Sequence, residues 1–186
     1  MKKEHIKAIE QLPLQPWSKA WEMRNLFLFS YYCRGINFKD MAFLTWENIR
    51  EGRLIYIRRK TGDLLNMELL PPALAILADY RTIAIGEHIF PILSDFHKTP
   101  QQIENQLKKV LKQMNDEMTE LGKQIGLDFR ITSYFARHTY ATVMKRNKVS
   151  ISMISEAMGH SNEKVTQAYL DSFENDELDK AHKGLL

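Results

Sequence analysis

The chain has 186 residues, of which 44% are hydrophobic and 26% charged, so it suits one globular domain, with or without an appended arm. A net charge of +3 is compatible with a polyanionic partner without requiring one. Cys33 is the only cysteine, which excludes an intrachain disulfide, and the longest apolar run, LFLFSYYC, is too short to span a bilayer. We expect a soluble, cytoplasmic protein with no membrane partner.

The first predicted elements are an arm and two helices. Residues 1–17, which include LPLQP, read as an N-terminal arm or linker remnant, and residues 18–186 as one domain. Ser18 is a good N-cap for a mostly buried helix, KAWEMRNLFLFSYYC, which Gly35 is placed to end. Asn37 then starts a short second helix, NFKDMAFL.

The next segment has the composition of a small sheet. TWENIREGRLIYIRRKTGDLLNMELL contains β-branched and aromatic residues, interrupted by the turn signals REG and KTGD. This pattern predicts three short antiparallel strands. Lys60 to Asp63 would form the tip of the second hairpin.

From Pro71 onward the patterns predict helices. In chain order they are ALAILADYR, a long helix through QQIENQLKKVLKQMNDEMTELGKQIG, TSYFARHTYATVMKRN, SISMISEAMG, NEKVTQAYL and a polar final helix at about 173–183. The predicted fold class is therefore mainly α with a small three-stranded antiparallel sheet, an α+β fold.

Several residues suited to phosphate chemistry recur at the edges of these elements. Each has an ordinary explanation when it is taken alone. Arg34 could be a structural ion pair, Lys60 a solvated turn lysine, and Tyr169 a partly buried aromatic residue. His160, after Gly159, could cap the preceding helix.

The order of these residues resembles the tyrosine recombinase, or phage integrase, family over about residues 18–183. An arginine follows a helix in YYCRGINFKDMAFLTWENI, and RRKTG places a lysine on a β-hairpin. ARHTYAT resembles the family's His-x-x-Arg box. MGHSNEKVTQAYL has a Gly-His turn with a tyrosine nine residues after the histidine.

The resemblance implies the catalytic-domain fold of a DNA breaking–rejoining enzyme and a site-specific recombinase or integrase of a mobile element. Tyr169 would attack a DNA phosphodiester and form a 3′-phosphotyrosyl link without metal, ATP or another cofactor. Arg34 and Arg137 would clamp the phosphate oxygens, and Lys60 would protonate the leaving 5′-oxygen. Hydrogen bonds to the phosphate would come from Tyr134 and His160.

Tyr134 is a departure, because it replaces the first histidine of the family's box. A phenol with a pKa near 10 donates a hydrogen bond but is a poor base at neutral pH. Either proton transfer at that position is dispensable, which we favour, or the protein is slow. Asp40 and Glu47 look more like structural support for Arg34 than a magnesium pair, and no glycine-rich phosphate loop occurs.

The expected partner is double-stranded DNA. Backbone contacts are predicted for Arg58, Arg59, Lys145, Arg146, Lys148 and Lys164. The family's N-terminal core-binding domain is missing from this sequence, so we expect a catalytic fragment. The final helix either docks on a neighbouring protomer on DNA or folds back on its own domain. Two alternatives remain open: a catalytically weak DNA-binding relative, and a type IB topoisomerase-like nickase.

Overall fold

The computed structural model describes residues 1–84, 86–160, 162–167 and 170. The chain begins with a helix that the sequence analysis did not predict, α1 (Lys3–Glu10), which packs against the next helix through the buried Ile6 and Ile9. The segment after α1 is fixed to the next helix, because Arg24 of that helix donates to the carbonyl oxygen of Leu12 at 2.8 Å. Part of the region predicted as an arm is thus folded onto the domain.

Helix α2 (Lys19–Tyr32) forms the centre of the fold, in contact with α1 and with three later helices. It begins as predicted, because the Ser18 hydroxyl oxygen accepts the backbone N–H of Trp21 at 3.2 Å. It ends in a reversal in which both Arg34 and Gly35 have left-handed backbones, with φ of 57° and 70°. The short helix α3 (Phe38–Ala42) follows this reversal.

The predicted sheet is present, and all its pairings are antiparallel in the order β1-β2-β3. A 3-10 turn (Trp46–Asn48) leads into β1 (Ile49–Arg50), β2 (Arg53–Ile57) and β3 (Leu64–Glu68). The backbone N–H of Arg58 donates to the Asp63 carbonyl at 2.8 Å and closes the second hairpin. Lys60 is exposed at its tip, as predicted.

The rest of the described chain is largely helical. Its named helices are α4 (Pro71–Thr82), α5 (Pro100–Gln124), α6 (Tyr134–Arg146) and α7 (Ile151–Ala157), and residues 163–167 are also helical. Val110, Met114, Met118 and Leu121 of α5 are buried, which confirms the apolar period seen in the sequence. The fold class is confirmed as mainly α with one small sheet.

Two apolar clusters hold these helices. The larger contains residues from each of the helices α1 through α5 and from the sheet. The smaller consists of Ala141, Ile154, Met158 and Leu170. The predicted final helix at about 173–183 and the predicted nucleophile Tyr169 lie outside the described residues. Within the described part, no helix is both long enough and apolar enough to cross a membrane.

Candidate functional site

A cavity of about 570 Å³ opens where three distant parts of the chain meet: the start of α3, the tip of the β2–β3 hairpin and the first turn of α6. We call it the site cavity. Five cationic side chains and one carboxylate line it, together with an asparagine and a tyrosine: Lys39, Arg58, Arg59, Lys60, Arg137, Asp40, Asn37 and Tyr134. This excess of positive charge suits an anionic ligand.

Arg137 lies one turn into α6 and is only 5% exposed. Its Nη1 donates to the carbonyl oxygen of Gly35 at 2.6 Å, and its Nη2 donates to the carbonyl oxygen of Met158 at 2.7 Å. One guanidinium therefore joins the reversal after α2 to the turn after α7. A Cβ on Gly35 would lie 2.7 Å from the Cα of Arg137, so the close approach requires glycine.

His160 lies between Arg137 and the helical residues 163–167. Its Nε2 is 2.7 Å from Nη2 of Arg137, and its Nδ1 is 2.7 Å from Oγ1 of the fully buried Thr166. A guanidinium cannot accept a hydrogen bond, so Nε2 is the acceptor and Nδ1 carries the proton that Thr166 accepts. Burial, followed by the positive charges of Arg137, Arg58 and Lys60, lowers the pKa of His160 to about 4. The imidazole is therefore neutral at pH 7.

The hairpin is fixed to its neighbours at its base. Arg58 is 6% exposed and donates from Nη1 to the carbonyl oxygen of Gly159. The buried carboxylate of Asp40 accepts the backbone N–H of Arg59 at 3.0 Å, and the Arg59 guanidinium lies 3.7 Å from the centre of the Phe43 ring. Asp40 thus supports the hairpin backbone, whereas the sequence analysis expected it to support Arg34. Lys60 projects from a base that is held on two sides.

Tyr134 is the first residue of α6, one turn before Arg137, and is 47% exposed. It lines the site cavity as the resemblance implies, and its ring meets the edge of His138 with centroids 4.3 Å apart. Burial is the main cause that lowers the pKa of His138 to about 4. A neutral imidazole therefore backs the phenol.

Arg34, in contrast, lines a different cavity of about 630 Å³, which we call the lateral cavity. The lateral cavity lies between β3 and the helices α6 and α7, and Tyr140, Met144 and Glu156 are among its lining residues. The structure thus brings Lys60, Tyr134 and Arg137 to one cavity, with His160 against Arg137. Asn37, which the sequence analysis noted only as a helix start, also lines the site cavity.

The residues predicted to follow the DNA backbone have different environments. Arg58 is buried against Gly159, whereas Arg59 is exposed on the hairpin. Lys145 is half-buried, and Arg146 and Lys148 are exposed at the end of α6. Lys164 is exposed on the last described helical segment. Thr166 and Leu170, which precede and follow Tyr169 in sequence, are both buried.

The fold, mainly helical with one three-stranded antiparallel sheet, is that of tyrosine recombinase catalytic domains. The sequence profile of the phage integrase family matches residues 1–176. The chain belongs to this family. No curated protein matches the sequence closely enough to narrow the assignment further.

Solved structures of recombinases share the fold at low sequence identity. XerA recombinase has a TM-score of 0.67 at 16% identity, over 97% of this chain and 64% of its own. Lambda integrase residues 75–356, solved as a dimer bound to a COC′ core site, has a TM-score of 0.63 at 19% identity, over 91% and 58%. XerH in a post-cleavage complex with palindromic difH has a TM-score of 0.66 at 13% identity, over 98% and 52%. The chain thus spans less than two thirds of each of these proteins.

Proposed function

We propose that this chain is the DNA-cleaving domain of a site-specific recombinase, the integrase of a mobile element, which cuts and rejoins DNA through a phosphotyrosyl link at Tyr169. The observation that carries the proposal is the site cavity. Three segments that are far apart in sequence bring Lys60, Tyr134 and Arg137 to one cavity with a strong excess of positive charge. These residue types suit the binding of a phosphodiester and stabilisation of the charge that develops during its cleavage.

Recognition of the phosphate would begin with charge. A phosphodiester in the cavity would lie beside the guanidinium of Arg137 and the ammonium of Lys60, both of which line it. Exposed Arg59, Lys148 and Lys164 would contact neighbouring phosphates and make binding depend on salt concentration. Arg58 is buried against Gly159, so its main role would be to hold the Gly-His turn.

In the cleavage step the Tyr169 oxygen would attack phosphorus and lose its proton to solvent water. The bond from phosphorus to the 5′-oxygen breaks, leaving a 3′-phosphotyrosyl enzyme and a 5′-hydroxyl that has taken a proton from Lys60. The 5′-hydroxyl of a second strand then attacks phosphorus and returns a proton to Lys60, and the bond to the Tyr169 oxygen breaks as that oxygen takes a proton from water. The phosphotyrosyl bond retains the energy needed for rejoining, so the reaction needs no ATP.

Tyr134 and Arg137 would stabilise the non-bridging oxygens in the transition state, and His160 would act through Arg137. Its Nε2 accepts from Arg137 and its Nδ1 donates to Thr166, so the imidazole orients the guanidinium. With a pKa near 4 it is a weak base at neutral pH. Removing one preorganised donor of this kind costs roughly 10²- to 10³-fold in rate.

Strand exchange requires more than one protomer on DNA. Lambda integrase has been solved as a dimer bound to a core site and as a tetramer bound to a Holliday junction. We infer that this protein also assembles on DNA as a dimer or tetramer. Contact between protomers through the helix predicted at about 173–183 is part of this proposal.

A pool of nicked duplexes with random central sequences tests the nucleophile at many candidate target sites at once. When the nick lies near the cleaved bond, the short fragment that carries the new 5′-hydroxyl diffuses away. Rejoining is then impossible, so the protein stays covalently bound to the DNA. We expect a covalent adduct that survives SDS and is lost in Tyr169→Phe. Persistence of the adduct in that variant would show that Tyr169 is not the nucleophile. Sequencing the trapped DNA would give the preferred site.

Two marked duplexes carrying the recovered site then separate recombination from simple relaxation. We expect hybrid products whose strands come from both duplexes. Relaxation of supercoiled DNA without exchange would favour the topoisomerase-like alternative. Salt-dependent binding without adduct or exchange would favour the catalytically weak DNA-binding relative. This alternative is tested because Tyr134 replaces the first histidine of the family's box.

A further inference from the structure

The side chains that line the site cavity include one whose role the family resemblance did not supply. Asn37 immediately precedes α3 and shares the cavity with Lys60, Tyr134 and Arg137. Arg34, three residues earlier, lines the lateral cavity. We propose that the carboxamide of Asn37 binds a non-bridging oxygen of the phosphate held beside Arg137 and Lys60. This inference rests on the proposed function.

The backbone around Asn37 is held firmly. The buried Ser30 hydroxyl donates to the carbonyl oxygen of Ile36 at 2.7 Å, directly before Asn37. The carbonyl oxygen of Asn37 itself accepts the backbone N–H of Met41 at 2.9 Å. A side chain on such a support reaches its ligand with little loss of conformational freedom.

The carboxamide is not used by the fold. Although Asn37 occupies the N-cap position of α3, its side chain makes no capping hydrogen bond. Among the described residues, no other group forms a hydrogen bond with it. A half-buried amide that faces a cationic cavity has two N–H donors to offer a phosphate oxygen.

The left-handed reversal lies directly before the segment that carries Asn37. The reversal comprises Arg34 and Gly35, and the Gly35 carbonyl is bound by Arg137. Asn37 follows this reversal by two residues and lines the site cavity. A neutral donor beside the guanidinium of Arg137 adds a hydrogen bond without adding charge repulsion.

The test uses three variants of the whole chain. Asn37→Ala removes the donor, and Asn37→Asp keeps the shape but places a carboxylate beside the phosphate. Asn105→Ala makes the same truncation at an exposed asparagine on α5 and serves as the control. Thermal unfolding of each variant shows whether it is folded.

The first readout is the rate of adduct formation on the nicked duplex recovered from the random pool. We expect Asn37→Ala to be slower by about 100-fold, Asn37→Asp to be slower still, and Asn105→Ala to equal the unaltered chain. Adduct formation at the unaltered rate in both Asn37 variants would overturn the inference while leaving the proposed function intact.

The second readout needs no cleavage. Inorganic phosphate is titrated into ¹⁵N-labelled protein, and the side-chain amide signal of Asn37, assigned by its loss in Asn37→Asp, is followed by NMR. We expect this signal to shift and phosphate to bind Asn37→Asp at least tenfold more weakly. An unmoved Asn37 signal would overturn the inference. If the unaltered chain forms no adduct, the proposed function fails, and this titration still decides whether Asn37 binds phosphate.

Discussion

Arg137 and Gly35 meet at two points. The guanidinium donates to the Gly35 carbonyl oxygen at 2.6 Å, and the space that a Cβ on Gly35 would occupy lies 2.7 Å from the Cα of Arg137. The contact joins residues that are 102 positions apart in the chain. The position of the proposed catalytic arginine thus depends on the absence of a side chain at residue 35.

Replacing Gly35 with alanine should therefore lower the free energy of unfolding by more than backbone strain alone would. Gly126 is the matched control, because its φ of 80° is similar to the 70° of Gly35 but no atom lies within 4 Å of its added Cβ. We expect Gly126→Ala to lower the free energy of unfolding by about 1–2 kcal/mol, and Gly35→Ala by at least about 3 kcal/mol. Urea unfolding measures both values, and equal losses would contradict the packing argument.

Thr166 is expected to stabilise the tautomer of His160 that Arg137 requires. Thr166→Val removes the oxygen that lies 2.7 Å from Nδ1, whereas Thr166→Ser retains it. We expect valine to slow adduct formation about tenfold and to change the ¹⁵N shifts of the His160 ring, because the proton on Nδ1 loses its acceptor. Serine should restore both properties. A purely structural role would reduce stability and leave the ring shifts unchanged.

The tyrosine at position 134 can be tested with two opposite changes. Tyr134→Phe removes the hydroxyl from a ring that lines the site cavity, and Tyr134→His installs the residue that the family resemblance expects. We expect phenylalanine to slow adduct formation about tenfold, corresponding to one lost hydrogen bond, and histidine to retain activity. If phenylalanine cleaves at the unaltered rate, the hydroxyl has no part in the reaction.

Stability should fall as the solution becomes acidic, because two histidines are kept neutral by the fold. The pKa values of His138 and His160 are lowered from 6.5 to about 4, with burial as the largest cause for each. Between pH 6.5 and 4 the unfolded chain binds protons that the folded chain does not. The free energy of unfolding therefore decreases as pH falls through this window. Above pH 7 these two groups contribute no pH dependence.

Urea unfolding at pH 7, 6 and 5 checks this expectation. Each histidine can contribute at most about 1.4 kcal/mol per pH unit, and less here because both rings are partly exposed to solvent. His138→Gln and His160→Gln should each flatten the pH profile. An unaltered profile in both variants would show that other groups cause the acid sensitivity.

The sequence pattern predicted most of the fold because the signals involved are local. Ser18 as a cap, the turn residues Lys60 to Gly62 and the apolar period of α5 all act within a few residues of their own position. Helix α1 was missed because its apolar face, Ile6 and Ile9, is short and gains its stability from packing on α2.

The site was predictable in part, for a different reason. Tyr134 and Arg137 project from one helix and Lys60 from a short hairpin turn, so spacing along the chain indicated where they would lie. Arg34 lies in a left-handed reversal and Asn37 follows it, and the direction of a side chain at such a reversal depends on backbone angles that no residue count reveals. The burial of Arg58 depends on the Gly159 carbonyl, 101 positions away.

Hydrogen bonds join distant parts of the chain around the site cavity, and this affects how the protein is made. Arg137 donates to Gly35 and Met158, and Arg58 donates to Gly159. A nascent chain leaving the ribosome has completed its hairpin long before α6 and the Gly-His turn have been synthesised. Until they arrive, the site cavity lacks Tyr134 and Arg137 in its lining.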